Sequence, residues 1–198
     1  MKKILVLAAL LLASTASAQT IGGTAHDLGR AANAGIYGTG DTCAYCHVAH
    51  NARTTAPLWG RADGAALTAY TSSTVTVVLA ANIDGITRAC MSCHDGVTNP
   101  GVTLNNNFGG TATVIAGSVI GQDLGNDHPV SMNWDATKAG LGVDTTAAAA
   151  AGFVFYGGAG GTQITCATCH SVHNNVNTRF LRVSVTGGPF CSTCHSRK

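Results

Sequence analysis

The chain has 198 residues, of which only 10% are charged, with 11 Lys+Arg against 9 Asp+Glu and 25 glycines. An ordinary soluble domain carries about 25% charged residues, and here all nine acids are aspartate. No basic stripe or acidic tail points to nucleic acid, and a surface so poor in charge has little defence against self-association.

The first element, "MKKILVLAALLLASTASA" at 1–18, joins two lysines, an apolar run and small residues ending Ala16-Ser17-Ala18. This is the pattern of a secretory signal peptide with its cleavage site. No later stretch reaches the roughly 18 apolar residues a transmembrane helix needs. The mature chain is expected to start near Gln19, exported and without a membrane span. Losing Lys2 and Lys3 leaves it formally neutral.

Further along, "TVTVVLAA" (74–81), "TATVIAGSVIG" (111–121) and "GFVFYG" (152–157) have the β-branched and aromatic bias of short strands. "TTAAAAAG" (145–152) predicts a helical turn ended by glycine. The glycine- and threonine-rich remainder reads as loop.

Between these lie four copies of one motif: "CAYCH", "CMSCH", "CATCH" and "CSTCH". They take up all eight cysteines, as Cys43/Cys46, Cys90/Cys93, Cys166/Cys169 and Cys191/Cys194, and each pair is followed at once by His47, His94, His170 or His195. In a helical turn, residues i, i+3 and i+4 share a face, so two thiols and an imidazole converge. CxxCH is the attachment sequence of c-type haem: the thiols form thioethers and the imidazole is the proximal iron ligand. Structural zinc, a single redox dithiol and a disulfide framework all use paired cysteines, but none requires histidine after every second cysteine. Four covalent haems are expected.

Four histidines remain, His26, His50, His128 and His173, against four open axial positions. Bis-histidine ligation throughout follows as the simplest account, with Met132 as the weaker rival for a sixth ligand. His50 and His173 each trail a proximal histidine by three residues. Histidine α-carbons on opposite porphyrin faces lie on the order of 12 Å apart, whereas three extended residues span at most about 11 Å and half that in a helix. His50 therefore cannot cap the iron of His47, nor His173 that of His170. Each is expected to cap the haem next along the chain, on Cys90/Cys93 and Cys191/Cys194. The order histidine, CxxCHxxH, CxxCH occurs twice, which suggests pseudo-duplicated halves at about 19–110 and 111–198 within one tetrahaem domain at 19–198. The fold class expected is a multihaem cytochrome c, mostly coil with short helical turns and few short strands wrapped around a haem chain. Arg53, Arg61, Arg88, Arg179 and Arg182 are candidates to pair with haem propionates.

"GDTCAYCHVAHN", "APLWGR", "AHDLG" and "NDHPVSM" resemble the doubled-CxxCH multihaem cytochromes of metal-reducing bacteria, and the whole looks especially like the extracellular tetrahaem cytochrome filaments of the OmcE type. That resemblance covers the haem-bearing segments well and 62–85 and 98–125 hardly at all. It implies stacked and T-shaped haem contacts and one axial histidine donated by the adjacent subunit. His26 is the candidate donor, with a local role equally tenable.

Filled axial sites leave electron transfer rather than catalysis. The resulting expectation is an electron carrier that polymerises with itself outside the cell. It would take electrons from upstream periplasmic or outer-membrane multihaem cytochromes and pass them to extracellular acceptors. A monomeric periplasmic tetrahaem shuttle is the alternative. A reductase with one open haem is the third reading, and it would require a spare histidine not to bind iron.

Overall fold

The structure is a computed structural model that describes residues 21–29, 42–75, 77, 79, 82–98, 116–135, 137, 142, 144–157 and 161–195. The proposed signal peptide and residues 111–115 lie outside them. Most of the described chain is coil, with four short α-helices and one two-stranded sheet among the described residues. This architecture is compatible with a small multihaem cytochrome.

Helix α1 spans Gly85–His94, α2 Thr145–Ala150, α3 Cys166–Cys169 and α4 Pro189–Ser192. Local chemistry explains each boundary. Asp84 caps α1 by accepting from the backbone N–H of Thr87 at 2.8 Å, and Asp144 caps α2 from Ala147 at 2.7 Å. Past α2, Gly152 takes the positive φ of +110° that ends the helix, as "TTAAAAAG" leads one to expect. Pro189 opens α4, where its missing N–H costs nothing. Three-residue 3₁₀ turns at Cys43–Tyr45, Ala116–Ser118, Leu124–Asn126 and Thr178–Phe180 serve as connectors.

The strand expectations are only partly met. The sheet is Met132–Asn133 (β1) paired antiparallel with Gln163–Ile164 (β2), Met132 opposite Ile164. From 74–81, Leu79 contributes a single bridge to Met132, and from 152–157, Tyr156 contributes one to Gln163. Part of 111–121 is instead the Ala116–Ser118 turn. Among the described residues these segments have strand-like side chains but only single bridges to a neighbour, and β propensity is expressed through such neighbours.

Met132, Trp134 and Ile164 form the buried cluster over this sheet, with Leu79, Phe155 and Cys194 packed against it. Met132 is thus a core residue, 5% exposed. Ten apolar side chains are buried among the described residues. No helix among the described residues is long and apolar enough to cross a membrane.

Candidate functional site

Every CxxCH motif sits on a short helical turn. His47, His170 and His195 donate their backbone N–H to the carbonyl of the first motif cysteine, Cys43, Cys166 and Cys191, at 2.9, 3.1 and 2.9 Å. Cys90, Cys93 and His94 occupy the last turns of α1. The spacing therefore collects both sulfurs and the imidazole on one side, and none of the eight cysteines is in a disulfide.

Thiols of successive motifs adjoin. The Cys90 thiol donates to Cys166, which raises its pKa, with burial adding to the effect. Burial pushes Cys46 up to about 11, helped by nearby Cys93, and pushes Cys169 up to about 11, helped by Cys194. These electrostatic neighbours run through the four motifs in chain order. Helix α1 packs on α3, and the Cys166 N–H donates to the Thr87 hydroxyl at 3.4 Å.

The histidines come in pairs. Ring centres of His26 and His94 are 6.1 Å apart, those of His47 and His173 6.2 Å, and those of His128 and His195 6.1 Å. Two imidazoles that share one metal ion through Nε2, each at about 2 Å, place their ring centres roughly 6.3 Å apart. The three gaps thus have the width of one axially ligated iron. Among the described residues no three His, Cys, Asp or Glu side chains converge as a tetrahedral site would need.

Ring orientation follows the same logic. A neutral imidazole has one N–H and one lone pair. Nδ1 of His47 meets the carbonyl of Pro57 at 3.0 Å, that of His94 meets Ser118 at 2.7 Å, that of His170 meets Arg179 at 2.9 Å, and that of His128 meets Pro129 at 3.1 Å. Putting the proton on Nδ1 leaves the Nε2 lone pair for a metal and fixes the ring plane. His26 differs: its Nδ1 is buried without a hydrogen-bond partner. Burial first, then the neighbouring His94, His170 and His173, lowers its pKa to about 4, so it is neutral and able to donate. Its ring meets Phe180 edge-on at 4.6 Å. Next to it Asp27 accepts from the Thr42 hydroxyl, which ties the His26 segment to the start of the first motif.

Two of these carbonyls come from matching clips that the sequence reading did not identify. After the first motif, Val48 N–H donates to Leu58 O and Gly60 N–H to Cys46 O, both at 2.8 Å. After the third, Ser171 N–H donates to Phe180 O at 2.8 Å and Arg182 N–H to Cys169 O at 2.9 Å. Leu58 and Phe180 share a left-handed backbone, φ +52° and +60°, and in each case the preceding carbonyl, Pro57 or Arg179, is the one that faces the histidine. A faint sequence signal exists: "PLWGR" and "RFLR" follow their CxxCHxxH segments at nearly the same distance.

Two expectations change. His94 and His195 lie opposite His26 and His128, not opposite His50 and His173, and His173 lies opposite His47 in the other half of the sequence. The reason is tertiary: packing of α1 on α3 interleaves the halves, and a rule of nearest motif along the chain cannot anticipate that. His26 has its ring partner within its own chain. His50 is exposed. Of the candidate arginines, Arg182 donates to Ala167 O at 2.7 Å and to the Tyr156 hydroxyl at 2.9 Å, and Arg88 pairs with Asp63 at 3.5 Å. Arg61 is fully buried; burial raises the Cys46 and Cys93 thiols, and the nearby Arg61 charge offsets only part of that rise.

A search of characterised proteins finds no match to the chain. Residues 159–198 match the family model for the doubled CXXCH motif, a segment that holds the third and fourth motifs. CXXCH motifs indicate covalent c-type haem, and the match supports a multihaem c-type cytochrome that transfers electrons.

Proposed function

We propose that the protein conducts electrons over long range through four covalently held bis-histidine haems, as an exported subunit that polymerises into an extracellular filament and delivers respiratory electrons to external acceptors. The observation that carries the ligation is the repeated 6.1–6.2 Å separation of histidine rings. In this reading Cys43/Cys46, Cys90/Cys93, Cys166/Cys169 and Cys191/Cys194 attach the macrocycles. His47, His94, His170 and His195 are the proximal ligands, and His26, His50, His128 and His173 the distal ones. When bound, each haem supplies a one-electron iron couple, and bis-histidine ligation sets it lower than histidine–methionine ligation would.

The chain's own part is to hold the metal on both faces and to keep the imidazoles from turning. Carbonyls of Pro57, Ser118, Arg179 and Pro129 on Nδ1 raise ligand basicity and hold the ring plane. With both axial positions taken by protein, no substrate reaches iron, which favours a carrier over a reductase. Low surface charge favours self-association. One observation favours the monomeric shuttle instead: His26 has its ring partner, His94, in its own chain, so no neighbour is needed to complete that site.

The test has two parts. Intact mass and optical spectra of the purified holoprotein should give four covalent haems, all low-spin and unchanged by cyanide. A high-spin centre, or a smaller haem count, would overturn the ligation. Electron microscopy and sedimentation of material sheared from cells should then show a polymer; a protein that sediments only as a monomer is the shuttle.

A further inference from the structure

Three histidine pairs leave two histidines over, His50 and His170. We propose that the two CxxCHxxH segments exchange their trailing histidines. His173 completes the site begun by His47 on Cys43/Cys46, and His50 completes the site begun by His170 on Cys166/Cys169. The inference rests on the bis-histidine reading above and deepens it.

Four observations carry it. The His47 and His173 rings face each other at 6.2 Å with planes only 20° apart, so the first half of the exchange is already in place. The other two proximal histidines, His94 and His195, already have His26 and His128 opposite them. Chain reach excludes His50 from the iron of His47, three residues away. The only proximal histidine left for it is His170, whose Nδ1 is held by Arg179 O at 2.9 Å and whose Nε2 is therefore free. Finally, both segments have the same internal spacing and the same clip, with Leu58 and Phe180 in matching left-handed conformations. When two like segments run antiparallel so that the leading histidine of one meets the trailing histidine of the other, the remaining two meet as well. A parallel arrangement would bring Val176, not a histidine, towards His50.

The consequence is mutual dependence. Neither half of the sequence completes its own first site, so two cross-ligations staple the halves together in addition to the α1–α3 contact.

Proton NMR of the reduced, diamagnetic holoprotein tests this. Ring protons of His173 should show Overhauser contacts to methyls of the macrocycle whose thioether protons belong to Cys43 and Cys46. Those of His50 should contact the macrocycle on Cys166 and Cys169. Contacts from His173 to the macrocycle on Cys191 and Cys194, or from His50 to that on Cys90 and Cys93, would overturn the exchange while leaving bis-histidine ligation intact. As a second route, His50→Met should give the strongly shifted methionine methyl signal on the Cys166/Cys169 macrocycle; its appearance on any other sinks the proposal. A high-spin iron or a missing haem in the unaltered protein removes both the exchange and the reading beneath it.

Discussion

Leu58 and Phe180 show how a single backbone angle orients a histidine ring. A non-glycine residue with positive φ is uncommon and costs on the order of 1–3 kcal/mol, yet it appears at the matching position of both clips. In each, the turn aims the preceding carbonyl at Nδ1 of a histidine. Leu58 is 56% exposed, so its side chain buries little. Leu58→Gly should therefore change holoprotein stability by less than about 1 kcal/mol. Leu58→Val, whose branched Cβ fits this region badly, should cost about 1–3 kcal/mol. Chemical denaturation midpoints of the two variants distinguish these outcomes. The imidazoles were legible in the sequence because CxxCH names them. The carbonyls that orient them were not, because a backbone acceptor can belong to Pro57, Arg179 or Ser118 alike and leaves no mark on residue type.

At the level of elements, α1 is the piece that the site is built around, and its start is held in three ways. Asp84 caps Thr87 and also accepts from the Ser131 hydroxyl at 2.6 Å, while its own N–H donates to that oxygen at 2.9 Å. A Cβ on Gly85 would lie 2.2 Å from the carbonyl oxygen of Thr55, backbone that cannot swing aside. Asp84→Ala should cost about 1–3 kcal/mol, the loss of a cap and of a partner for buried Ser131. Gly85→Ala should cost about as much, through overpacking. Thermal unfolding of both holoprotein variants measures this, and a Gly85→Ala protein as stable as the parent would contradict the close approach. Helix α2 was readable from "TTAAAAAG" because cap, alanine run and terminal glycine are local signals. The strand expectations were met only in part because pairing is not local: Leu79 and Tyr156 each find one bridge, and the two strands among the described residues are two residues long.

For the whole molecule, covalent attachment of haem bears on folding. In the proposed reading the macrocycles would add their own apolar area to the ten apolar side chains buried among the described residues. Chain made without haem attachment should therefore show no cooperative thermal transition and should be cut rapidly by protease, whereas holoprotein should melt cooperatively, as in domains whose metal binding is also their folding energy. Near-UV circular dichroism and limited proteolysis of the two preparations test it. An apoprotein with native-like cooperative melting would mean that the polypeptide alone suffices.

What the order of residues determines by itself is the motif chemistry: four CxxCH motifs, four further histidines, and a three-residue spacing too short for one iron to be held by both histidines of one segment. Those are covalent and local constraints, and they survive any arrangement of the loops between them. Which histidine meets which was decided only in three dimensions. The chain-order rule assigned His173 to its neighbour at Cys191/Cys194, whereas packing of α1 against α3 places it opposite His47. Partner choice depends on how helices more than 70 residues apart in sequence pack together, for example through Thr87 and Cys166, and no local pattern encodes that contact.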